Sequence, residues 1–475
     1  MHSPFVMTIF GATGDLMRAK LMPALFGLFK QGSLPQDFFI FGFSRREITD
    51  QEFYELFPKL NTDPMWGDFI KHLHYQQGTF EDPAGYKELI KKLAAIDEKI
   101  GACVTRLFYL ATPPDNYEII LDNLKSTKLA EGCGQGSNKW TRIVIEKPFG
   151  KNLETAIHLD KKLSDIFEEK QIFRVDHYLG KENVQNMLAF RFANGIFEPV
   201  WNNTYIDHIQ VTISEKNGIG TRGKFFDGVG NLRDVAQNHL LQLVAAVTME
   251  QPKSFMKEDV RDARAHAIQA ITCIEPEKVS EHVVRGQYQS YADEKNVDLG
   301  SDTETFVAMK FFMDTPRMKN IPIYARAGKK MKEDVVEISI VFTQTCHVLF
   351  KEYGCPEIGN VITIRIQPDE GIRMRFIAKK PGSKLSLEPV EMKFSYQEGF
   401  GSRGIDAYEK ILLDILNGEQ ILFNRTDELM SSWKFITTIL HGWEKYNPKL
   451  VIYEDGSWGP READDLIKKD GRRWI

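Results

Sequence analysis

The chain has 475 residues, and single hydrophobic cores stop growing near about 250–300 residues, so two domains are expected. Hydrophobic residues make up 42% and charged residues 27%, with a formal net charge of −5 and a pI near 6.2, which excludes the basic field that nucleic acid or an acidic lipid surface would need. No apolar run approaches the roughly 18 residues of a membrane span, and MHSPFVMTIFGATGDL lacks the charged, apolar and cleavage regions of a secretory leader.

Up to residue 175, short apolar runs alternate with longer helical stretches. Phe5–Phe10, Phe38–Phe43, Arg106–Ala111 and Thr141–Glu146 are rich in β-branched and aromatic residues and predict strands. His74–Gln76 and Ile172–Val175 are weaker strand candidates. Between them, Asp15–Phe29, Asp50–Leu60, Pro83–Ile96, Asp115–Leu124 and Leu153–Phe167 predict helices. This alternation implies parallel βαβ units in a doubly wound sheet. Beyond about residue 200 the texture changes. Two helical stretches, Asp234–Val247 and Asp259–Cys273, precede closely spaced strand-like runs at Thr305–Met313, Ile323–Ala327, Val336–Phe342, Val361–Gln367, Ile372–Ala378 and Met392–Tyr396. Strands joined by short connections predict an antiparallel sheet, and helices return at Ile405–Leu416 and Asp427–Lys445. The expected division is 1–175 and 176–475. Five scattered cysteines (Cys103, Cys133, Cys273, Cys346, Cys355) form no C-x-x-C pair, which predicts reduced thiols and a cytoplasmic protein.

The first strand runs straight into Gly11-Ala12-Thr13-Gly14-Asp15-Leu16 at the start of a helix. Glycines there admit close approach of a pyrophosphate, and the helix terminus offers N–H donors and positive dipole. The spacing is G-x-x-G rather than G-x-G-x-x-G, so its weight comes from its place in the alternating array. The next strand ends at Ser44-Arg45-Arg46. NAD-specific sites carry an acid here for the ribose hydroxyl, whereas arginine holds a 2′-phosphate, so NADP is favoured and NAD is left as a secondary cofactor. Lys147-Pro148 closes a further strand at the edge where open α/β sheets bind ligands.

Arg174-Val175-Asp176-His177-Tyr178-Leu179-Gly180-Lys181-Glu182-Asn183 concentrates donors suited to a phosphate. A second cluster, Arg233-Asp234-Val235-Ala236-Gln237-Asn238-His239, leads into an apolar helix. On an α-helix residues five apart are separated by roughly 140°, so Asp234 cannot orient His239. A carboxylate from another segment is required, and Asp176 is the candidate. Imidazole near neutral pKa suits the removal of a hydroxyl proton as hydride leaves. No H-E-x-x-H or similar spacing occurs, so no metal is expected.

Together GATGDL (11–16), GFSRR (42–46), LFYLATPP (107–114), IEKPFG (145–150), RVDHYLGKENVQN (174–186), RDVAQNHLLQL (233–243), YARAGKK (324–330) and DAYEKILLDILNGEQILF (406–423) resemble the glucose-6-phosphate dehydrogenase family along essentially the whole chain. The resemblance implies an α/β Rossmann-type dinucleotide-binding domain plus a larger α+β domain with a mainly antiparallel sheet, through which subunits form a homodimer or a dimer of dimers. It implies oxidation of glucose 6-phosphate at carbon 1 to the 6-phosphogluconolactone with reduction of NADP+, the first step of the oxidative pentose phosphate pathway. Carried over by motif, His239 is the base and Asp176 its partner, while His177, Tyr178 and Lys181 bind phosphate. Lys147, Glu215, Asp234 and Lys329 contact sugar hydroxyls or phosphate, and Lys20 approaches the substrate. Gly11, Ala12, Thr13, Gly14, Asp15, Leu16, Arg45 and Lys147 line the cofactor site. Asp334 stands where many relatives carry a second basic residue, a gap that Lys330 or Lys332 would have to fill. Lys379-Lys380-Pro381-Gly382 echoes part of a structural NADP site, which is not predicted here. Two rivals remain: a sugar dehydrogenase of the glucose–fructose oxidoreductase kind, and a catalytically inactive NADP-binding regulator.

Overall fold

The structure is a computed structural model and describes residues 3–132, 141–401 and 406–475. The strands are β1 (Phe5–Phe10), β2 (Phe38–Ser44), β3 (Leu73–Gln77), β4 (Thr105–Leu110), β5 (Thr141–Glu146) and β6 (Ile172–Val175), then β7 (Ile206–Ser214), β8 (Val283–Tyr288), β9 (Phe306–Phe311), β10 (Ile323–Gly328) and β11 (Val335–Phe342), and last β12 (Val361–Gln367), β13 (Gly371–Lys379), β14 (Leu387–Ser395), β15 (Phe423–Asn424) and β16 (Val451–Tyr453).

Among the described residues the first sheet runs β3-β2-β1-β4-β5-β6-β15. Its first six strands are parallel in the doubly wound order, and β1, β2 and the core of β5 are buried throughout, as a sheet covered on both faces requires. The edge is closed from far along the chain, where β15 pairs antiparallel with β6 (Phe423 opposite Val175). Arg264 anchors this return. Its guanidinium donates to the carbonyls of Ile421 (2.6 Å) and Phe423 (2.9 Å) and pairs with buried Glu428 at 3.0 Å.

The second sheet runs β14-β13-β12-β11-β7-β10-β9-β8-β16. It is mostly antiparallel, but β7 pairs parallel with β10 and β8 with β16. The β7–β10 register sets Ser214 opposite Gly328, so the residues that follow, Glu215 and Lys329, leave the sheet side by side. No sequence run had predicted β7, β8, β15, β16 or the helix Glu182–Phe192. The helix expected from Ile405 starts at Ala407, Ile405 itself lying outside the described residues.

Met17–Leu21, holding Lys20, and Leu232–Leu240, holding Asp234 and His239, are π-helical. The cysteine expectation is corrected: Cys346 and Cys355 are joined by a disulfide with Cα atoms 5.9 Å apart. The physical reason is the loop itself, which reverses through the left-handed Gly354 (φ +87°) and brings the two side chains together. Cys103 is also disulfide-bonded, Cys273 is free, and Cys133 lies outside the described residues. No described helix is long and apolar enough to cross a membrane.

Candidate active site

The site lies where the carboxyl ends of the parallel strands in both sheets face one another. At the first sheet, Gly11 turns with φ +88° and its N–H donates to the Phe43 carbonyl at 2.9 Å. A Cβ at this position would stand 2.5 Å from the Ala111 carbonyl oxygen, so only glycine fits. Gly14 N–H then bonds the Gly11 carbonyl (2.9 Å), and the helix opens at Asp15–Leu16 with its first N–H groups directed to the crevice end of the sheet. Thr13 and Ser44 join the ends of β1 and β2 through their hydroxyls at 3.0 Å. Arg45 follows, exposed. A tight glycine turn, a helix N-terminus and a free guanidinium fit the pyrophosphate and the 2′-phosphate of a dinucleotide.

β6 delivers Asp176 and the π-helix delivers His239. Their side chains meet at 2.6 Å, Oδ1 to Nδ1, and both are buried. A carboxylate only accepts, so Nδ1 carries the proton and Nε2 keeps its lone pair. Tyr178 N–H donates to the same Oδ1 at 3.0 Å, while Oδ2 is buried without a partner. Burial alone would raise the Asp176 carboxyl, but His239 and the hydrogen bond hold it at about 2. Burial pushes His239 below the ordinary histidine value, opposed by Asp176. The pair therefore rests as carboxylate and neutral imidazole.

The structure brings Asp176 and His239 together, but not because Asp234 and His239 lie on different faces of an α-helix. With i→i+5 bonding, residues five apart return to nearly the same side. What removes Asp234 as orienter is its own partners. Lys147 Nζ donates to its Oδ1 (2.8 Å) and its main-chain carbonyl (2.9 Å), and Lys329 Nζ lies 3.5 Å from its Oδ2. Lys147 follows β5 and Lys329 follows β10, so Asp234 stitches the ends of the two sheets together. Lys329 also donates to Glu215 Oε2 at 2.8 Å. In this ladder of alternating charge the two lysines keep Asp234 well below the usual carboxylate range against the effect of burial.

On the other side of the dyad, the Tyr178 ring stacks on His239 with centroids 4.1 Å apart, and His177 meets His239 edge-on at 4.8 Å. Lys181 Nζ lies 4.2 Å from the Tyr178 centroid. Burial draws the Lys181 ammonium down to about 8, and the nearby charge of Lys20 adds to the fall. Two cations and the His177 imidazole thus converge, with Gln367 bonded to Lys181 and the charges of Glu370 and Asp176 nearby, which suits an anionic group. Gln367, the last residue of β12, and Glu370, in the β12–β13 turn, were missed because nothing in a strand end or a turn marks a residue as facing a distant lysine.

Asp334 does not face this cluster. Its Oδ1 accepts the Lys216 N–H at 2.7 Å and fixes the turn that carries Glu215. Lys330 Nζ lies 6.0 Å from the Tyr288 ring, and Lys332 uses its main-chain N–H on Ser457. Lys379 bonds the carbonyls of Lys380 and Gly382, and Lys380 pairs with Glu388, so these lysines close the β13–β14 hairpin. Asp176, His177 and His239 do bring ligand-type atoms within 4.8 Å of one another, a grouping that linear spacing could not reveal.

Family profiles match the chain end to end: glucose-6-phosphate dehydrogenase, NAD binding domain, over residues 8–186, and glucose-6-phosphate dehydrogenase, C-terminal domain, over residues 188–475. The glucose-6-phosphate 1-dehydrogenase of Chlamydia muridarum is 39% identical, covering 99% of this chain and 96% of the relative. That of Chlamydia pneumoniae is 40% identical with the same coverage. Among solved structures, a glucose-6-phosphate dehydrogenase in complex with its substrate glucose-6-phosphate superposes with a TM-score of 0.90 at 33% identity, covering 100% of this chain and 99% of that one. The Mycobacterium avium glucose-6-phosphate 1-dehydrogenase gives 0.85 at 32% identity, covering 99% and 98%. Gal80p of Saccharomyces cerevisiae, at 8% identity and a TM-score of 0.53, shares the fold alone.

Proposed function

Because the chain belongs to the glucose-6-phosphate dehydrogenase family, we propose that it oxidises D-glucose 6-phosphate at carbon 1 to 6-phospho-D-glucono-1,5-lactone with NADP+ as acceptor, and that His239 is the general base. The observation that carries the reading is the Asp176–His239 hydrogen bond, flanked on one side by the Lys181, Lys20 and His177 cluster and on the other by the Glu215–Lys329–Asp234–Lys147 ladder. The cation cluster takes the phosphate. The ladder offers carboxylate acceptors and ammonium donors to the sugar hydroxyls. Between them the anomeric hydroxyl meets His239 Nε2, which accepts its proton as the carbonyl forms. Asp176 keeps Nδ1 protonated and stabilises the imidazolium that results. The nicotinamide dinucleotide supplies the hydride acceptor when bound. Gly11 to Leu16 hold its pyrophosphate, Arg45 its 2′-phosphate, and Lys147 lies between the two ligands.

The domain division proposed is 1–175 for the cofactor and 176–475 for substrate and subunit contact, with β15 returning to the first sheet. The exposed Val390, Met392 and Phe394 on β14 support a homodimer or dimer of dimers through this outer face. A phosphorylated sugar does not cross membranes unaided, which supports a cytoplasmic setting.

Steady-state assays of the purified protein on glucose 6-phosphate and on glucose, each with NADP+, test this reading. The expected kcat/KM favours the phosphorylated sugar by several orders of magnitude, and equal values would remove the phosphate assignment and favour a glucose–fructose oxidoreductase-like activity. With Arg45→Ala, NADP+ should weaken by roughly 1–3 kcal/mol, as for loss of a charge-assisted bond, and NAD+ hardly at all. Equal weakening of both cofactors would show that Arg45 does not read the 2′-phosphate.

A further inference from the structure

Directly behind the dyad lies a buried acid for which the proposed chemistry has no use. Glu146 ends β5, and its strand partner in the β5–β6 register is Val175, the residue before Asp176. Its carboxyl forms no ion pair among the described residues. Instead Oε1 accepts the hydroxyl of Tyr109 from β4 at 2.6 Å and that of Tyr408 from the helix Ala407–Asn417 at 3.5 Å. The helix Tyr117–Ser126 adds Tyr117, whose hydroxyl bonds the Glu146 carbonyl at 2.9 Å. Two tyrosines thus converge on one buried carboxyl, and a third holds the main-chain carbonyl of the same residue.

The charged or titratable groups that face Glu146 are few. They are Tyr109, Tyr117 and Tyr408, the Lys147 ammonium next in the chain, and Asp176 at the end of β6. Tyr408 also lies parallel to His177 with centroids 6.2 Å apart, and His177 meets His239 edge-on. The carboxyl therefore touches the dyad twice: by charge through Asp176, and by packing through the rings of Tyr408 and His177. A structural acid needs neither connection.

We propose that Glu146 is a positioning residue for the dyad, a buried acid held by Tyr109 and Tyr408 whose negative charge, when present, stands behind Asp176 and favours the imidazolium form of His239. This rests on the dehydrogenase reading above. Burial pushes the Glu146 carboxyl up to about 7, with the Asp176 charge adding to the rise and Tyr109 and Lys147 opposing it. Near neutral pH its charge is therefore conditional. An imidazolium at His239 favours the ionised form, and loss of that proton favours the neutral one, so the two groups titrate as a coupled set.

The test is the pH dependence of kcat/KM for glucose 6-phosphate in the full chain with NADP+. The acid limb reports the protonation of the base in the free enzyme. Glu146→Gln keeps the shape and removes the charge, so His239 loses support for its proton and the limb moves to lower pH, by roughly a few tenths of a unit because Glu146 is already partly protonated there. If that variant fails to fold, Tyr109→Phe combined with Tyr408→Phe keeps both rings and withdraws the two donors. Glu146 then resists ionisation, and the limb moves the same way by less. Acid limbs that coincide with the wild type in the folded variants would overturn the inference. A wild type inactive on glucose 6-phosphate at every pH would instead remove the dehydrogenase reading itself.

Discussion

At His239 two forces oppose each other: burial favours the neutral imidazole, and the Asp176 carboxylate favours the charged one. Replacing the carboxylate by an amide leaves burial unopposed. Asp176→Asn should therefore move the acid limb of kcat/KM to lower pH, because the folded-state base then loses its proton more easily. It should also lower plateau kcat by roughly two to four orders of magnitude, since an amide neither holds the required tautomer nor stabilises the imidazolium. A pH–rate profile of the variant checks both, and an unmoved limb with a retained rate would contradict the pairing. The residues of this pairing were legible because Asp176, His177, Tyr178 and Lys181 stand within one short, donor-dense string. Glu146 was not legible as anything but a strand terminus, since its partners Tyr109, Tyr117 and Tyr408 come from three remote elements. Asp334 was legible as a departure, but its bond to the Lys216 N–H appears only once the turn after β7 is seen.

Element periodicity gave most strands and helices but failed in two instructive places. The apolar pattern around Leu240–Leu243 predicts a helix, yet nothing in it separates i→i+4 from i→i+5 bonding, and that choice decides whether Asp234 and His239 share a side. β7 was missed because His208, Gln210 and Thr212 read as polar interruptions. They are buried and bonded, His208 within its own strand to Asp207 (2.6 Å) and Gln210 (2.8 Å), the other two from outside it. Gln210 donates to the Arg473 carbonyl (2.8 Å), and Thr212 accepts from Arg326 (3.1 Å). β15 has two residues and no signal of its own. Its hold on the first sheet depends on Arg264, and removing that side chain would take the ion pair from buried Glu428 and leave it the Gln242 amide at 3.4 Å. Arg264→Met should cost about 3–5 kcal/mol, as for one partner of a buried pair. The denaturant midpoint of the first unfolding transition reads it, and an unchanged midpoint would show that β15 docks by packing alone.

Over the whole molecule, the alternation before residue 175 and the strand runs after it were enough to foresee two sheets of different kinds. What they could not place was the crevice between them. It exists because β7 and β10 are parallel within a mostly antiparallel sheet, so that their carboxyl ends present Glu215 and Lys329 to the carboxyl ends of β5 and β6. Asp176 follows β6 of one sheet, and His239 lies in the chain between β7 and β8 of the other. The base is therefore assembled only by the complete fold. The most direct measurement is the turnover of His239→Asn on glucose 6-phosphate with NADP+, alongside its substrate dissociation constant. The account predicts a kcat lower by about four orders of magnitude with sugar phosphate affinity kept within a few-fold. Near-normal turnover in the folded variant would contradict it.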